Sequence, residues 1–215
     1  MKKYEMTSNY KIFLGKKLFQ IRALVDLCNG VKAGELGGYI EKEENLSQSG
    51  NAWVGGDARV TDNARVTGNA QVAGDAWVRD NAQVRDNAHI AGNAWVSDNA
   101  WVTNNAQVAG EAQVRDNAWV SGDAHVAGKV HVAGNAHVAG NAWVSKIADL
   151  LQITGLGTAH RTTTVYRTKN GIEITCGCFC GNLKQFREQV VKTREGKVRD
   201  EYLKFAELIE IYFRL

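Results

Sequence analysis

Residues 132–144 read Val132-Ala133-Gly134-Asn135-Ala136-His137-Val138-Ala139-Gly140-Asn141-Ala142-Trp143-Val144, two copies of a six-residue unit and the start of a third. Stepping back by six meets Val126, Val120, Val114, Val108, Val102, Val96, Ile90, Val84, Val78, Val72, Val66, Val60 and Val54, so sixteen β-branched apolar residues share one period. Two places before each stands Ala, from Ala52 to Ala142, with Val130 the one exception. The unit is A-x-V-x-G/D-N/D. Val points inward from a short strand, and the small Ala fits the narrow interior beside a corner. The Gly/Asp-Asn pair turns the chain, because these residues tolerate left-handed backbone angles. Three hexads close a coil of 18 residues with three flat sides, and stacked coils pair as parallel strands about 4.8 Å apart. The count predicts about five coils in a rod about 25 Å long. The chain has no proline, which suits a ladder that needs every backbone N–H.

The hexad V-A-G-N-A-H, Val132 to His137, resembles the hexapeptide repeat of left-handed parallel β-helix proteins, a superfamily that includes many acyltransferases and the gamma-class carbonic anhydrases. The likeness spans about 45% of the chain and implies a fold rather than an activity. Over its whole length the chain more closely resembles small phage- and prophage-encoded β-helix proteins. These share a lead-in like Gly37-Gly38-Tyr39-Ile40-Glu41, then Glu44-Asn45-Leu46-Ser47, and a Gly177-Cys178-Phe179 run before helices. That resemblance implies a host-directed role in the host cytoplasm, as an antagonist that blocks a host factor or sequesters a small molecule.

A β-helix needs caps, because its end coils expose ladder groups and core. Residues 1–45 read as an N-terminal β cap with strands at Lys11–Leu14 and Leu18–Leu24, and 46–146 as the repeat domain. Ile40 and Leu46, six apart, begin an imperfect first coil. Residues 147–215 read as strands at Asp149–Thr154, Thr162–Arg167 and Ile172–Cys176, the last two joined by a Lys169-Asn170-Gly171 hairpin turn. Two helices follow. Asn182 caps Leu183–Thr193, and Val198–Phe213 carries an apolar stripe of Tyr202, Phe205, Leu208, Ile209 and Tyr212. Both are expected to cover the end or side of the rod rather than to serve an oligomer contact. The fold class is mainly β.

Folding the repeat at 18 gives three unlike sides. Side one carries Ala73, Ala91, Ala109 and Ala127 after the valines and a corner column Gly56, Gly74, Gly92, Gly110 and Gly128. Its bareness predicts a packing face for a second subunit, in a dimer or trimer, or for the C-terminal segment. Side two carries Trp77 with Arg79, Trp95, and Gln113 with Arg115, beside a corner column Asp62, Asp80, Asp98 and Asp116. Side three carries Arg85, Trp101 and Trp119. Exposed indoles beside guanidiniums suit a planar anionic ligand or a protein partner, although stacked aromatics also stiffen a parallel sheet without any ligand. The Asp column is expected to accept backbone hydrogen bonds, as the Asn63, Asn81, Asn99, Asn117 and Asn135 ladder does, rather than to hold a hard cation, which wants six or more converging oxygens.

The net charge is +3, which does not mark a nucleic-acid binder. No run of about 18 apolar residues offers a membrane span, and no export signal is legible. Cys28, Cys176, Cys178 and Cys180 are therefore expected as reduced thiols in a cytoplasm. A zinc site at C-x-C-x-C plus Cys28 departs from the usual C-x2-C spacing, and no metal or cofactor is expected. An acyltransferase would use a His as general base on an acyl-coenzyme A donor. However, His125, His131 and His137 are six apart and fall on different sides of one coil, and no inserted loop interrupts residues 49–146. The reading is a non-enzymatic binding protein, with acyltransferase and end-to-end structural polymer as the alternatives.

Overall fold

The computed structural model describes residues 2–215. Sixteen two-residue strands, β4 to β19, recur every six residues from Trp53–Val54 to Trp143–Val144. Each of the first thirteen pairs in parallel with the strand 18 residues on, as Trp95 with Gln113 and Trp101 with Trp119. The result is a parallel β-helix of about six turns with three flat sheets, one per side. Every valine of the column, Ile90 and the partner alanines are buried at 0–1% exposure, so the interior is one column of small side chains. Val130 fills the slot that Ala takes elsewhere and is equally buried.

The corners explain the turn residues. Asp62, Asp80, Asp98 and Asp116 sit at φ 58–62°, and the glycine corners lie at similar angles. A Cβ on Gly74, Gly92 or Gly110 would stand 2.9–3.0 Å from the next coil's backbone nitrogen. The glycine column on side one thus has a reason inside the chain, in the stacking of coils. Where the corner is Asp, its carboxylate accepts the backbone N–H one coil on: Asp80 from Asp98, Asp98 from Asp116, and Asp116 from Gly134. Outside the corners, Asn63, Asn81, Asn99, Asn117 and Asn135 run as a side-chain amide ladder at 3.2–3.3 Å.

The N-terminal segment is more than an end cap. Strands β1 (Tyr4–Phe13) and β3 (Leu36–Ile40) each pair antiparallel with β2 (Lys16–Ala23) between them, and β3 joins side two by pairing in parallel with Arg59–Val60. Ile40 and Leu46 are buried, and Leu46 bridges to Val66, which makes the imperfect first coil. The β1–β2 hairpin leans onto side two. Phe13 meets Trp77 edge-on at 5.0 Å, and Lys16 reaches Asp62 and Glu41.

At the other end, β20 (Leu150–Leu156), β21 (Arg161–Thr168), β22 (Gly171–Cys176) and β23 (Phe179–Gly181) form a four-stranded antiparallel sheet. The sequence pattern gave the first three and not the fourth, which is only three residues long. One face of this sheet closes the rod. Tyr166 is buried within the rod's own core, and its hydroxyl accepts the Ala139 N–H at 3.2 Å. The other face carries α1 (Leu183–Thr193, capped by Asn182) and α2 (Gly196–Phe213). Phe186, Val190, Tyr202, Phe205 and Ile209 pack there with Val165 and Ile174 in a second core. The expectation that the helices cover the end or side of the rod is corrected: the sheet lies between, its apolar face of Leu151, Ile153, Val165 and Ile174 taken by the helices and its other face bound to the rod by Tyr166 and by Gln152 and Thr175, which donate to the His131 and His137 carbonyls. Leu208 and Tyr212, read as part of the stripe, are partly exposed at 45% and 39%.

Candidate functional site

Three arginines on the rod share one arrangement. Arg59 lies over the Phe13 ring at 4.5 Å, Arg79 over Trp77 at 4.8 Å and Arg85 over Trp101 at 4.6 Å. The same three have a buried Nε atom with no hydrogen-bond partner. The physical account is that each guanidinium lies against a π-face that takes the place of a hydrogen-bond acceptor. Arg79, Arg85 and Arg115 also stand 3.4–3.8 Å from the carboxylate of the next residue, Asp80, Asp86 and Asp116. These three forks are already engaged; Arg65, exposed on side three, makes no ion pair among the described residues.

The seven residues singled out from the sequence do not form one site. Trp77, Arg79, Trp95 and Arg115 lie on side two; Arg85, Trp101 and Trp119 lie on side three. Trp77 departs from the expected exposure. It is 7% exposed, because Phe13 covers it and its Nε1 donates to the buried Thr61 hydroxyl at 3.3 Å. It anchors the hairpin and is not a ligand platform. Trp95, at 43%, stays open.

Side three keeps its aromatics in the open. Trp101 and Trp119 are 37% and 42% exposed. Their rings are 6.4 Å apart and tilted by 64°. His137 continues the column, stacked on Trp119 at 4.9 Å. Arg85, Trp101, Trp119 and His137 therefore form an unbroken strip four coils long. A diagonal contact fixes its tilt: Trp119 Nε1 donates to Thr103 Oγ1, sixteen residues back, at 3.2 Å. Thr103 follows the inward Val102 on the outer side of its strand, yet it is fully buried beneath the indole.

The Ser121–His137 hydrogen bond, 3.2 Å from Oγ to Nε2, invites a catalytic reading. It is the same sixteen-residue diagonal as Thr61–Trp77 and Thr103–Trp119, with imidazole in place of indole, and packing accounts for it fully. Burial lowers the His137 pKa, opposed by Glu173. His125 stacks on Trp143 at 4.4 Å on side one, and burial, then Lys169, lowers its pKa as well.

Ala73, Ala91, Ala109 and Ala127 stand in one column on side one, as expected. The C-terminal segment does not lie on them, since its sheet closes the rod's end. The fold separates the four cysteines. Cys176 ends β22, the chain reverses at Gly177-Cys178, and Cys180 lies on β23 opposite Thr175. They do not line one face of a strand, and Cys28 is at the other end of the rod, beside Asn51. Cys180 donates to Glu173 at 2.8 Å, and burial together with that carboxylate pushes its thiol up to about 12.

No protein-family model matches the chain, and a search of curated proteins finds no significant relative. Among the described residues, no helix is long and apolar enough to cross a membrane.

Proposed function

We propose that this chain is a non-enzymatic interaction protein whose recognition surface is the Arg85–Trp101–Trp119–His137 strip and whose partner is another protein. The observation that carries this reading is the strip itself: two half-open indoles with an arginine and a histidine on a flat, rigid side. Trp and Arg dominate the binding energy of protein interfaces, whereas small-molecule sites are concave. The paired state of Arg79, Arg85 and Arg115 weighs against phosphate or carboxylate recognition on the rod. The resemblance to phage- and prophage-encoded β-helix proteins supports a host protein as the partner and the host cytoplasm as the setting. The separation of the histidines among three sides supports a role without catalysis.

The test is capture from host lysate by a photo-crosslinker placed at Gln83, one coil before Trp101 in the same column. The wild-type scaffold should yield one dominant cross-linked partner, and the Trp101→Ala/Trp119→Ala scaffold should lose it. Identical products from both would overturn the assignment. Turnover of an acyl-coenzyme A compound that disappears in His137→Gln would replace it with the acyltransferase reading.

A further inference from the structure

A cavity of about 350 Å³ opens between the C-terminal sheet and helix α1, lined by Arg161, Cys176, Cys178, Phe186, Arg194 and Tyr202 among others. Its volume lies in the range of sites for small organic molecules. The lining is sorted by chemistry. Phe186 and Tyr202 form an aromatic floor, packed edge-on at 6.1 Å. Arg161 and Arg194 supply the charge. Neither makes an ion pair among the described residues, unlike their neighbours Arg167 and Arg187, which pair with Asp149 and Glu210. The backbone makes room for one of them: a Cβ on Gly177, at φ +60°, would stand 2.7 Å from Arg161 Nη1. The Tyr202 hydroxyl donates to the Leu156 carbonyl at 3.3 Å, which holds the ring across the floor.

We infer that this cavity is a binding site for a small aromatic anion, its carboxylate or phosphate held by Arg161 and Arg194 and its flat body on Phe186 and Tyr202. Unpaired guanidiniums over an aromatic floor match both halves of such a molecule. On the sides of the rod, Arg59, Arg79, Arg85 and Arg115 each already have a ring or a carboxylate. This site is independent of the strip on side three. Either can fail without the other, because they lie on different modules with separate cores.

The cysteines at the cavity provide the readout. In the chain carrying Cys28→Ser and Cys180→Ser, thiol reaction at Cys176 and Cys178 is followed with two aromatic disulfide reagents, each compared between the arginine-containing protein and its variant. One is 5,5′-dithiobis(2-nitrobenzoate), an aromatic dianion; the other is neutral 2,2′-dithiodipyridine. At low salt, Arg161→Gln/Arg194→Gln should slow the anionic reagent by about ten-fold and leave the neutral one within two-fold. Phenyl phosphate should protect the thiols from neutral N-ethylmaleimide in the arginine-containing protein and not in the double variant. If the double variant does not fold, the arginine-containing protein still decides the matter. Raising salt and adding phenyl phosphate should each slow its reaction, the first only with the anionic reagent. Parallel rates for both reagents, or no protection by phenyl phosphate, would overturn the proposal.

Discussion

Asn45 and Asp149 occupy the same place in two copies of one five-residue form, Lys42-x-x-Asn45-Leu46 where the rod begins and Lys146-x-x-Asp149-Leu150 where it ends. Both are buried in a short 3-10 turn, at 0% and 3% exposure. The difference between amide and carboxylate follows the direction of the ladder. At the corners and beside each valine, N–H groups donate to carbonyls of the following coil, as Thr61 to Val78 and Asn63 to Asp80. The first coil is left with carbonyls to satisfy, and the Asn45 amide donates to those of Asp62 and Ala64. The last coil is left with N–H groups, and the Asp149 carboxylate accepts those of Ser145 and Lys146. Exchanging the two side chains should therefore be harmful in one direction above all. Asn45→Asp sets a carboxylate against two carbonyls and should cost more than the roughly 1–3 kcal/mol per abandoned group expected of Asn45→Ala. Burial raises that new carboxyl's pKa in the folded state, so its penalty should shrink as pH falls, because the protonated form donates. Urea unfolding at pH 7 and pH 5, each against the unaltered protein, measures both; equal penalties at the two pH values would refute the donor argument.

The corner glycines separate crowding from strain. Gly134→Ala meets nothing within 4 Å and should cost only the left-handed backbone penalty, about 1–2 kcal/mol. Gly92→Ala carries the same angle and adds a methyl 3.0 Å from the Gly110 nitrogen, so its unfolding midpoint should fall further. Thermal unfolding of the two variants side by side checks the order.

The diagonal hydroxyls should be graded by burial. Thr61→Val strands the buried Trp77 Nε1 and should cost roughly 1–3 kcal/mol, while Thr103→Val acts on the half-open Trp119 and should cost nearer 0.5–1.5 kcal/mol. Thr103→Val should also broaden the emission of Trp119 and weaken partner capture without unfolding the rod. Equal losses at the two sites would mean that burial of the indole does not set the cost.

Acidification should loosen the C-terminal end first. Burial holds the pKa values of His125 and His137 below the ordinary 6.5. As pH falls through 6.5 the unfolded chain takes up these protons before the folded one, and stability declines until the folded pKa values are passed. His125→Gln/His137→Gln should flatten that decline. Denaturant midpoints between pH 7.5 and 5 give the slope; an unchanged slope in the double variant would assign it elsewhere.

At the Asp column the sign is the same and the window lower. The Ser97 hydroxyl, the Asp116 N–H, and the Arg79 and Arg115 charges hold Asp98 below its ordinary 3.8, against the opposing pull of burial. Its contribution is present above that value and is lost as pH falls through the lower folded pKa. Ser97→Ala should raise the Asp98 pKa, read from its carboxyl carbon resonance in an NMR titration.

The valines, alanines and corner residues made the rod legible in the sequence because every hexad repeats one local solution, and the 18-residue fold assigned each of the sixteen strands to its side. The burial of Trp77 was not legible: it depends on Phe13, 64 residues away, in a hairpin with no repeat to set its position. The Cys176–Cys180 run reads as a strand by alternation, and only the positive φ of Gly177 reverses it. Arg161 and Arg194 are unremarkable in the sequence. The cavity between them exists because a three-residue strand places Phe179 against Phe186, and an element so short leaves no periodic trace. Asn45 and Asp149 carried a signal in their shared five-residue form, but the meaning of amide against carboxylate needs the direction of the ladder.

The repeat of 18 also makes the rod a ruler with one permitted graduation. Deleting residues 85–102, one full coil, would shorten the distance between the N-terminal hairpin and the C-terminal sheet by about 4.8 Å and leave every outward column in line. Removing a single hexad would keep the core intact yet turn the whole C-terminal module by a third of a revolution, so that the strip beyond the cut would look out from a neighbouring side. Length and direction are thus locked together, and such a chain can change its reach only in whole coils if its two ends are to keep facing the same way.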